Sequence, residues 1–268
     1  MGDEVKGRHN VFLALVSLPT YLFTSIPVMP LYVCATPIGH LDDVSTRLLE
    51  TLRGADLICA EDTRHTQKLL ARFDIHTPLT SCHEHSSPAK IAALCARLEA
   101  GETFALVTDS GTPGISDPGP ALVREAGAKG VLVLPIPGPC AFVAAISISG
   151  FDAQRFSFLG FLPRKLGKRT KALAAALTRE ETIALYESPY RVKGVLESLV
   201  RIAPDVAVVV CRELTKKFEE TLRGTPSEIL DILRARKEQK GEFVVVIEAF
   251  QGKQQLEEDD GDDIEIEP

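Results

Sequence analysis

The sequence contains no C-x-x-C pair, and none of its six cysteines lies at zinc-finger spacing from a histidine. A zinc ribbon and a thioredoxin-type redox motif are thereby excluded. Cys34, Cys59 and Cys211 fall inside apolar runs, where cysteine behaves as a small hydrophobe, and with Cys82, Cys95 and Cys140 they imply a reducing cytosol without a disulfide framework. Also missing are a G-x-x-x-x-G-K-[ST] loop, a G-x-G-x-x-G turn after a strand and a G-x-S-x-G elbow. A P-loop enzyme and a serine hydrolase therefore lack their central residues, and a dinucleotide enzyme loses its main signature. Aromatics are scarce at 6%, which leaves Phe161, Tyr186, Tyr190 and Phe218 as candidates for base stacking. Cys82-His83-Glu84-His85 puts only the two histidines on one face of an extended run, with no third ligand at a usual spacing, so no metal is expected.

Charge is unevenly distributed. Eight of the 37 acidic residues and one base, Lys253, fall in residues 251–268, which leaves residues 1–250 formally neutral. The net charge of −7 belongs to an acidic tail with no core to join, and it does not argue against a polyanionic partner. Residues 11–29, VFLALVSLPTYLFTSIPVM, are uncharged. Pro19 and Pro27 would break a membrane-spanning helix there, Asp3 and Glu4 spoil a basic leader, and an A-x-A cleavage site is missing. Residues 1–30 read as an N-terminal extension, loosely packed or a start-site effect, with a targeting segment as the alternative. No membrane partner is expected.

From Leu31 onward strand and helix signals alternate. Strands are predicted at 31–36, 56–60, 103–107 and 131–134, with helices at 43–53, 62–73, 87–98 and 120–128. Ser87-Pro88 supplies an N-cap and a first-turn proline. The pattern resumes with strands at 156–162, 182–186, 206–212, 218–222 and 242–250, and helices at 166–178, at 190–202 and from Thr225. These features predict an α/β protein of two domains, 31–148 and 149–250, the first built on a mainly parallel sheet covered by helices.

Three Gly/Pro-rich loops follow strands of the first half: Thr36 to His40, Thr108 to Gly119, and Pro135 to Cys140. In an open parallel sheet such loops share the carboxyl edge, where ligands bind. Proline-rich loops without a phosphate-binding lysine suit an adenosine-containing ligand lacking phosphates, with Asp109 placed to accept from a ribose hydroxyl. Arg64, Lys68 and Arg72 recur every four residues as one basic helical stripe. Arg164, Lys165, Lys168, Arg169 and Lys171 form the densest basic run, and Arg191, Lys193, Arg212, Lys216 and Lys217 a second group. Such patches are either solvated helix faces or contacts to RNA phosphates.

The segments YVCATPIGHLDDVSTRLLETL, ADLICAEDTRHTQKLL, LVTDSGTPGISDPG, PIPGPCAF, GFLPR, YESPYR, RELTKKFEETLRG and GEFVVVIE resemble the RsmI family of 16S ribosomal RNA (cytidine 2′-O) methyltransferases, within the tetrapyrrole-methylase superfamily. The resemblance spans residues 31–249. It implies two α/β domains with S-adenosylmethionine in the cleft between them, and a cytoplasmic homodimer acting on the small ribosomal subunit. Carried over motif by motif, it assigns the cofactor to Pro37, Ile38, Asp109, Thr112, Pro113, Ile115, Cys140, Ala141, Tyr186 and Glu187. It turns Arg64, Lys68, Arg72, Arg164, Lys165, Lys168, Arg169, Arg191, Lys216 and Lys217 toward RNA. His40, Ser110, Cys140 and Tyr190 depart from the family's Asn, Ala, Ser and His. A sulfonium methyl is already electrophilic, so the protein must align the attacking 2′-oxygen and assist loss of its proton. Glu61, Glu84 and Glu187 are the candidate bases, and Arg64 or Lys217 the candidate activating cation. The alternatives are a methylase of tetrapyrrole-like small molecules and a non-catalytic RNA-binding assembly factor on the same fold.

Overall fold

The computed structural model describes residues 30–117 and 119–249. The expected N-terminal extension, apart from Pro30, and the acidic tail lie outside the described residues. In chain order the elements are β1 (Leu31–Cys34), α1 (Thr46–Gly54), β2 (Leu57–Ala60), α2 (Thr63–Arg72), β3 (Leu79–Ser81), α3 (Pro88–Glu99), β4 (Phe104–Val107), α4 (Pro120–Ala128), β5 (Val133–Ile136) and α5 (Ala141–Ser149). They continue as β6 (Phe156–Phe161), α6 (Leu166–Leu177), β7 (Thr182–Glu187), α7 (Val192–Ile202), β8 (Val208–Arg212), β9 (Glu220–Gly224), α8 (Pro226–Arg234) and β10 (Phe243–Ile247). Among the described residues no helix is long and apolar enough to cross a membrane.

The first sheet has the order β3-β2-β4-β1-β5, and all its pairings are parallel. Its central strands are apolar at every position because both faces are covered. Leu48 and Leu52 of α1 and Leu70 of α2 pack on one face with Ile58, Ala60 and Val107. Ile91, Leu94 and Leu98 of α3 and Leu122 of α4 pack on the other with Phe104 and Leu106. Helix starts follow local chemistry: the Ser45 and Ser87 hydroxyls accept from the amides of Leu48 and Lys90.

The second sheet is mixed, in the order β6-β7-β10-β8-β9: β6 and β7 run parallel and the remaining pairs antiparallel. Alternation decides which face each side chain serves. Val208, Val210, Val245 and Ile247 pack beneath α6, α7 and α8, whereas Val209, Cys211, Val244 and Val246 face α5. Helix α5 leaves the first sheet but packs on the second, and Arg223 of β9 donates to the carbonyls of Ser149 and Ile148 at its C-terminus. Ile38, from the loop after β1, enters the same cluster, so the two sheets share apolar contacts.

Local expectations need correction at four elements. Strand β3 and helix α5 were not predicted. The three residues of β3 are only half-buried at the sheet edge, and α5 is apolar nearly all round, so no periodicity marks it. Strands β5 and β9 each lie two residues later than predicted, and β5 includes Pro135. A proline fits there because β5 is an edge strand paired only with β1.

Candidate active site

Strands β1 and β4 are neighbours, but the chain leaves β1 for α1 on one face and β4 for α4 on the other. Their loops diverge at the carboxyl edge, and a crevice opens where the winding direction reverses. The loops are stitched where they begin: Thr36 N donates to Gly111 O at 2.8 Å, and Gly111 N to Thr36 O at 3.2 Å. Gly111 holds φ at 82°, a conformation that favours glycine. The Thr112 hydroxyl donates to Pro139 O at 3.1 Å, which ties in the third loop.

The loop between β8 and β9 closes this crevice from the second half. His40 N donates to Thr215 Oγ1 at 3.0 Å, and a Cβ on Gly39 would come within 2.5 Å of Lys216 Cγ. Glu213 and Thr215 both sit at positive φ, 51° and 63°. The Lys216 ammonium lies 2.7 Å from Glu242 Oε2 and 3.2 Å from Glu213 Oε1. Burial works against its charge, but pairing with Glu242 and Glu213 outweighs this and holds its pKa above the usual lysine value.

Two adjoining cavities result. The first, about 300 Å³, is walled by Ile38, Ile115, Ala141, Tyr186, Leu214 and Val244, with Asp117 and Glu187 among its polar groups. The second, about 510 Å³, lies over α2 and is lined by Pro37, Leu41, His65, Lys68 and Asp109. Ile38, Ser110, Lys216 and Glu242 line both. Burial, reinforced by the charges of Glu61, Asp109 and Glu242 against a hydrogen bond from Thr108, pushes the Asp117 carboxyl up to about 6. Burial likewise pushes the Tyr186 phenol up, and its oxygen accepts from Phe142 N at 3.4 Å.

The expected cofactor residues divide between these spaces. Thr112, Ile115, Cys140, Ala141, Tyr186 and Glu187 line the first cavity, Pro37 and Asp109 the second, and Ile38 both, while Pro113 is buried and lines neither. Asp109 Oδ1 accepts from Asp62 N at 3.1 Å. The Glu187 carboxylate is fully buried, accepts from Ser188 N at 2.7 Å and pairs with Arg191 at 3.2 Å, so it is engaged in holding its own loop. Glu61 accepts from the Thr108 hydroxyl at 2.9 Å. Glu84 lines neither cavity: it follows β3, at the sheet edge away from β1 and β4, and is exposed. Arg64 also lines neither, its guanidinium folding back onto Asp62 at 2.8 Å.

The basic residues also separate. Arg164, Lys165 and Lys168 are exposed at the start of α6. Arg169 is a correction to the RNA-facing set: it is buried, donates to Ser198 Oγ at 3.0 Å and packs against Gly194 of α7. Arg191 turns inward to Glu187 and the Leu162 carbonyl, a second correction. Arg72 pairs with Asp42 at 3.5 Å, Lys68 is exposed at the second cavity, and Lys217 is exposed beside Phe218. Asp117, Ser110, Leu214 and Glu242 were missed. Only Asp117 and Ser110 stood in a loop already singled out, and the other two reach the site through folding alone.

Residues 30–230 match the family of Tetrapyrrole (Corrin/Porphyrin) Methylases. The chain is 46% identical over 228 residues to ribosomal RNA small subunit methyltransferase I of Halalkalibacterium halodurans, covering 85% of this chain and 78% of that protein. It is 42% identical over 230 residues to the protein of that name from Bacillus subtilis, covering 85% and 78%. Among solved structures, diphthine synthase superposes with a TM-score of 0.63 at 16% identity, over 82% of this chain and 90% of that one. The methyltransferase CobJ gives 0.60 at 20% identity, over 82% and 94%. These last two establish the shared fold. The chain belongs to the tetrapyrrole methylase family, and within it to the ribosomal RNA small subunit methyltransferase I group.

Proposed function

We propose that this protein is an S-adenosylmethionine-dependent methyltransferase that modifies the ribose 2′-oxygen of a cytidine in small-subunit ribosomal RNA. The observation that carries the reading is the pair of adjoining cavities that share Ile38, Ser110, Lys216 and Glu242, the second edged also by His65 and Lys68. The residues present fit the cofactor. An apolar chamber without a phosphate-binding lysine at a glycine-rich loop suits a nucleoside lacking phosphates. Asp117, kept proton-hungry by burial and by neighbouring carboxylates, would be relieved by a cationic ligand. Ile38, Ile115, Ala141 and Leu214 would enclose it, with Thr112, Cys140, Tyr186, Glu187 and Asp109 as polar neighbours. When bound it supplies an electrophilic methyl group.

The chain's own residues then have three tasks. The stitched loops after β1 and β4 hold the floor rigid, so that alignment is built in before the substrate arrives. Ile38, Ile115, Ala141 and Leu214 give the first chamber an apolar side from which a bound cofactor displaces water. Lys68 and the exposed cations Arg164, Lys165 and Lys168 attract the RNA backbone. The family resemblance also supports a cytoplasmic homodimer, for which light scattering gives the mass.

The deciding experiment is methyl transfer from labelled S-adenosylmethionine to small subunits purified from cells lacking the protein, with the product mapped by nuclease digestion and mass spectrometry. A single 2′-O-methylcytidine is expected. No transfer despite cofactor binding would move the substrate to another RNA or a small molecule, and absence of cofactor binding would leave an assembly factor.

A further inference from the structure

We infer that Lys216 is the cation that meets the reacting ribose oxygen, with Glu242 as the acceptor of its proton; this rests on the ribose methylation proposed above. Methyl transfer between two ligands takes place where their chambers meet, so the groups on both walls are those within reach of both reactants. Among the described residues, the basic side chains lining the cavities are His65, Lys68 and Lys216, and of these only Lys216 lines both. Arg64 and Lys217, the sequence-based candidates, line neither.

The ammonium is built into place. It has three N–H donors; Glu242 Oε2 and Glu213 Oε1 take two, at 2.7 and 3.2 Å, and one remains for a ligand. Those carboxylates keep it protonated, so it donates a hydrogen bond and cannot itself act as the base. Glu213 Oε1 is fixed in turn by Glu242 N at 2.9 Å. Two non-glycine residues at positive φ, Glu213 and Thr215, stand close before Lys216. Gly39 and Gly241 give it room, since a Cβ on either would come within 2.5 Å of Lys216 Cγ or Glu213 Cγ. A lysine that merely met phosphates at an open surface would need none of this strain and close fitting.

The ribose O–H bond breaks and its proton passes to the Glu242 carboxylate. The oxygen pair forms the new O–C bond to the methyl group while the C–S bond breaks, its electrons staying on sulfur as a neutral thioether. The free N–H of Lys216 stabilises the negative charge that builds on oxygen as the proton leaves.

The test measures steady-state methylation of unmodified small subunits beside the dissociation constants of S-adenosylmethionine, by calorimetry, and of RNA, by filter binding. Lys216→Met is expected to lower kcat about 100-fold, the scale for losing one donor to a developing oxyanion, with both dissociation constants unchanged. Lys216→Arg, which keeps the charge, should recover part of the rate. Should Lys216→Met fail to fold, Glu242→Gln takes its place: it keeps a hydrogen bond to Lys216 but cannot take the proton, so kcat falls while binding holds. An unimpaired kcat in the folded variant, or a loss confined to RNA affinity, overturns the inference alone. A wild type inert toward small subunits overturns the parent reading and this inference with it.

Discussion

Replacing Gly39 by alanine tests whether the close fit between the loop after β1 and the loop after β8 is structural. Gly39 is not at positive φ, so a methyl group there is refused by space alone. Its Cβ would meet Lys216 Cγ at 2.5 Å, Thr215 Oγ1 at 2.7 Å and the Leu214 carbonyl oxygen at 2.9 Å. The last is backbone and cannot swing aside, so one loop must move and the His40–Thr215 hydrogen bond goes with it. Overpacking of this kind costs about 2 kcal/mol. In a domain of this size that lowers Tm by about 4–8 °C, read by differential scanning calorimetry. Because the displaced loop carries Lys216, kcat should fall as well. Gly127→Ala is the matched control: nothing lies within 4 Å of its added Cβ, and it sits within α4. There the substitution should stabilise by about 0.5–1 kcal/mol. A Gly39→Ala protein melting with the wild type would refute the claim that the two loops are rigidly fitted.

Other expectations follow from single side chains. Asp117 has its pKa raised from 3.8 to about 6, so the folded state binds the extra proton in that window and the fold loses stability as pH rises from 4 to 6. By the same linkage a cationic ligand binds more tightly above pH 6, and Asp117→Asn should flatten both dependences in denaturation and calorimetric titrations. Neutralising Arg164, Lys165 and Lys168 should weaken RNA binding and reduce its salt slope, whereas Arg169→Lys should leave that slope alone and cost about 2 kcal/mol of stability in urea, because the buried fork to Ser198 and the Arg164 carbonyl is lost. Thr225→Ala removes the reciprocal cap with Glu228 at the start of α8 and should cost about 1 kcal/mol by the same denaturation.

Elements with a strong local signal were legible in the sequence. The caps at Ser87 and Thr225 mark the starts of α3 and α8, and the runs of valine in β8 and β10 mark those strands though not their ends, because each signal lies within a few residues. Helix α5 was not legible, since it packs on a sheet and still leaves Val143 and Ile148 exposed, with no polar face to set a period. The three Gly/Pro-rich loops at the carboxyl edge were legible because glycine and proline advertise special backbone. Lys216 and Arg169 looked alike in the sequence, as members of basic runs. What separates them is distant in the chain: Glu242 and Gly39 against one, Ser198 and Gly194 against the other.

The distribution of thiols makes the molecule its own reporter. Burial pushes Cys34 and Cys59 up to about 12, and Cys82, Cys95 and Cys211 are buried with raised values as well. An alkylating reagent, which attacks the thiolate, meets Cys34, Cys59, Cys82 and Cys95 only when the fold opens, whereas Cys211 lies in the wall of the first cavity. Cys140 alone is half-exposed, and it lines the smaller chamber. Its labelling rate therefore follows whatever fills that chamber, while slow labelling of Cys34, Cys59, Cys82 and Cys95 times the opening of the whole fold.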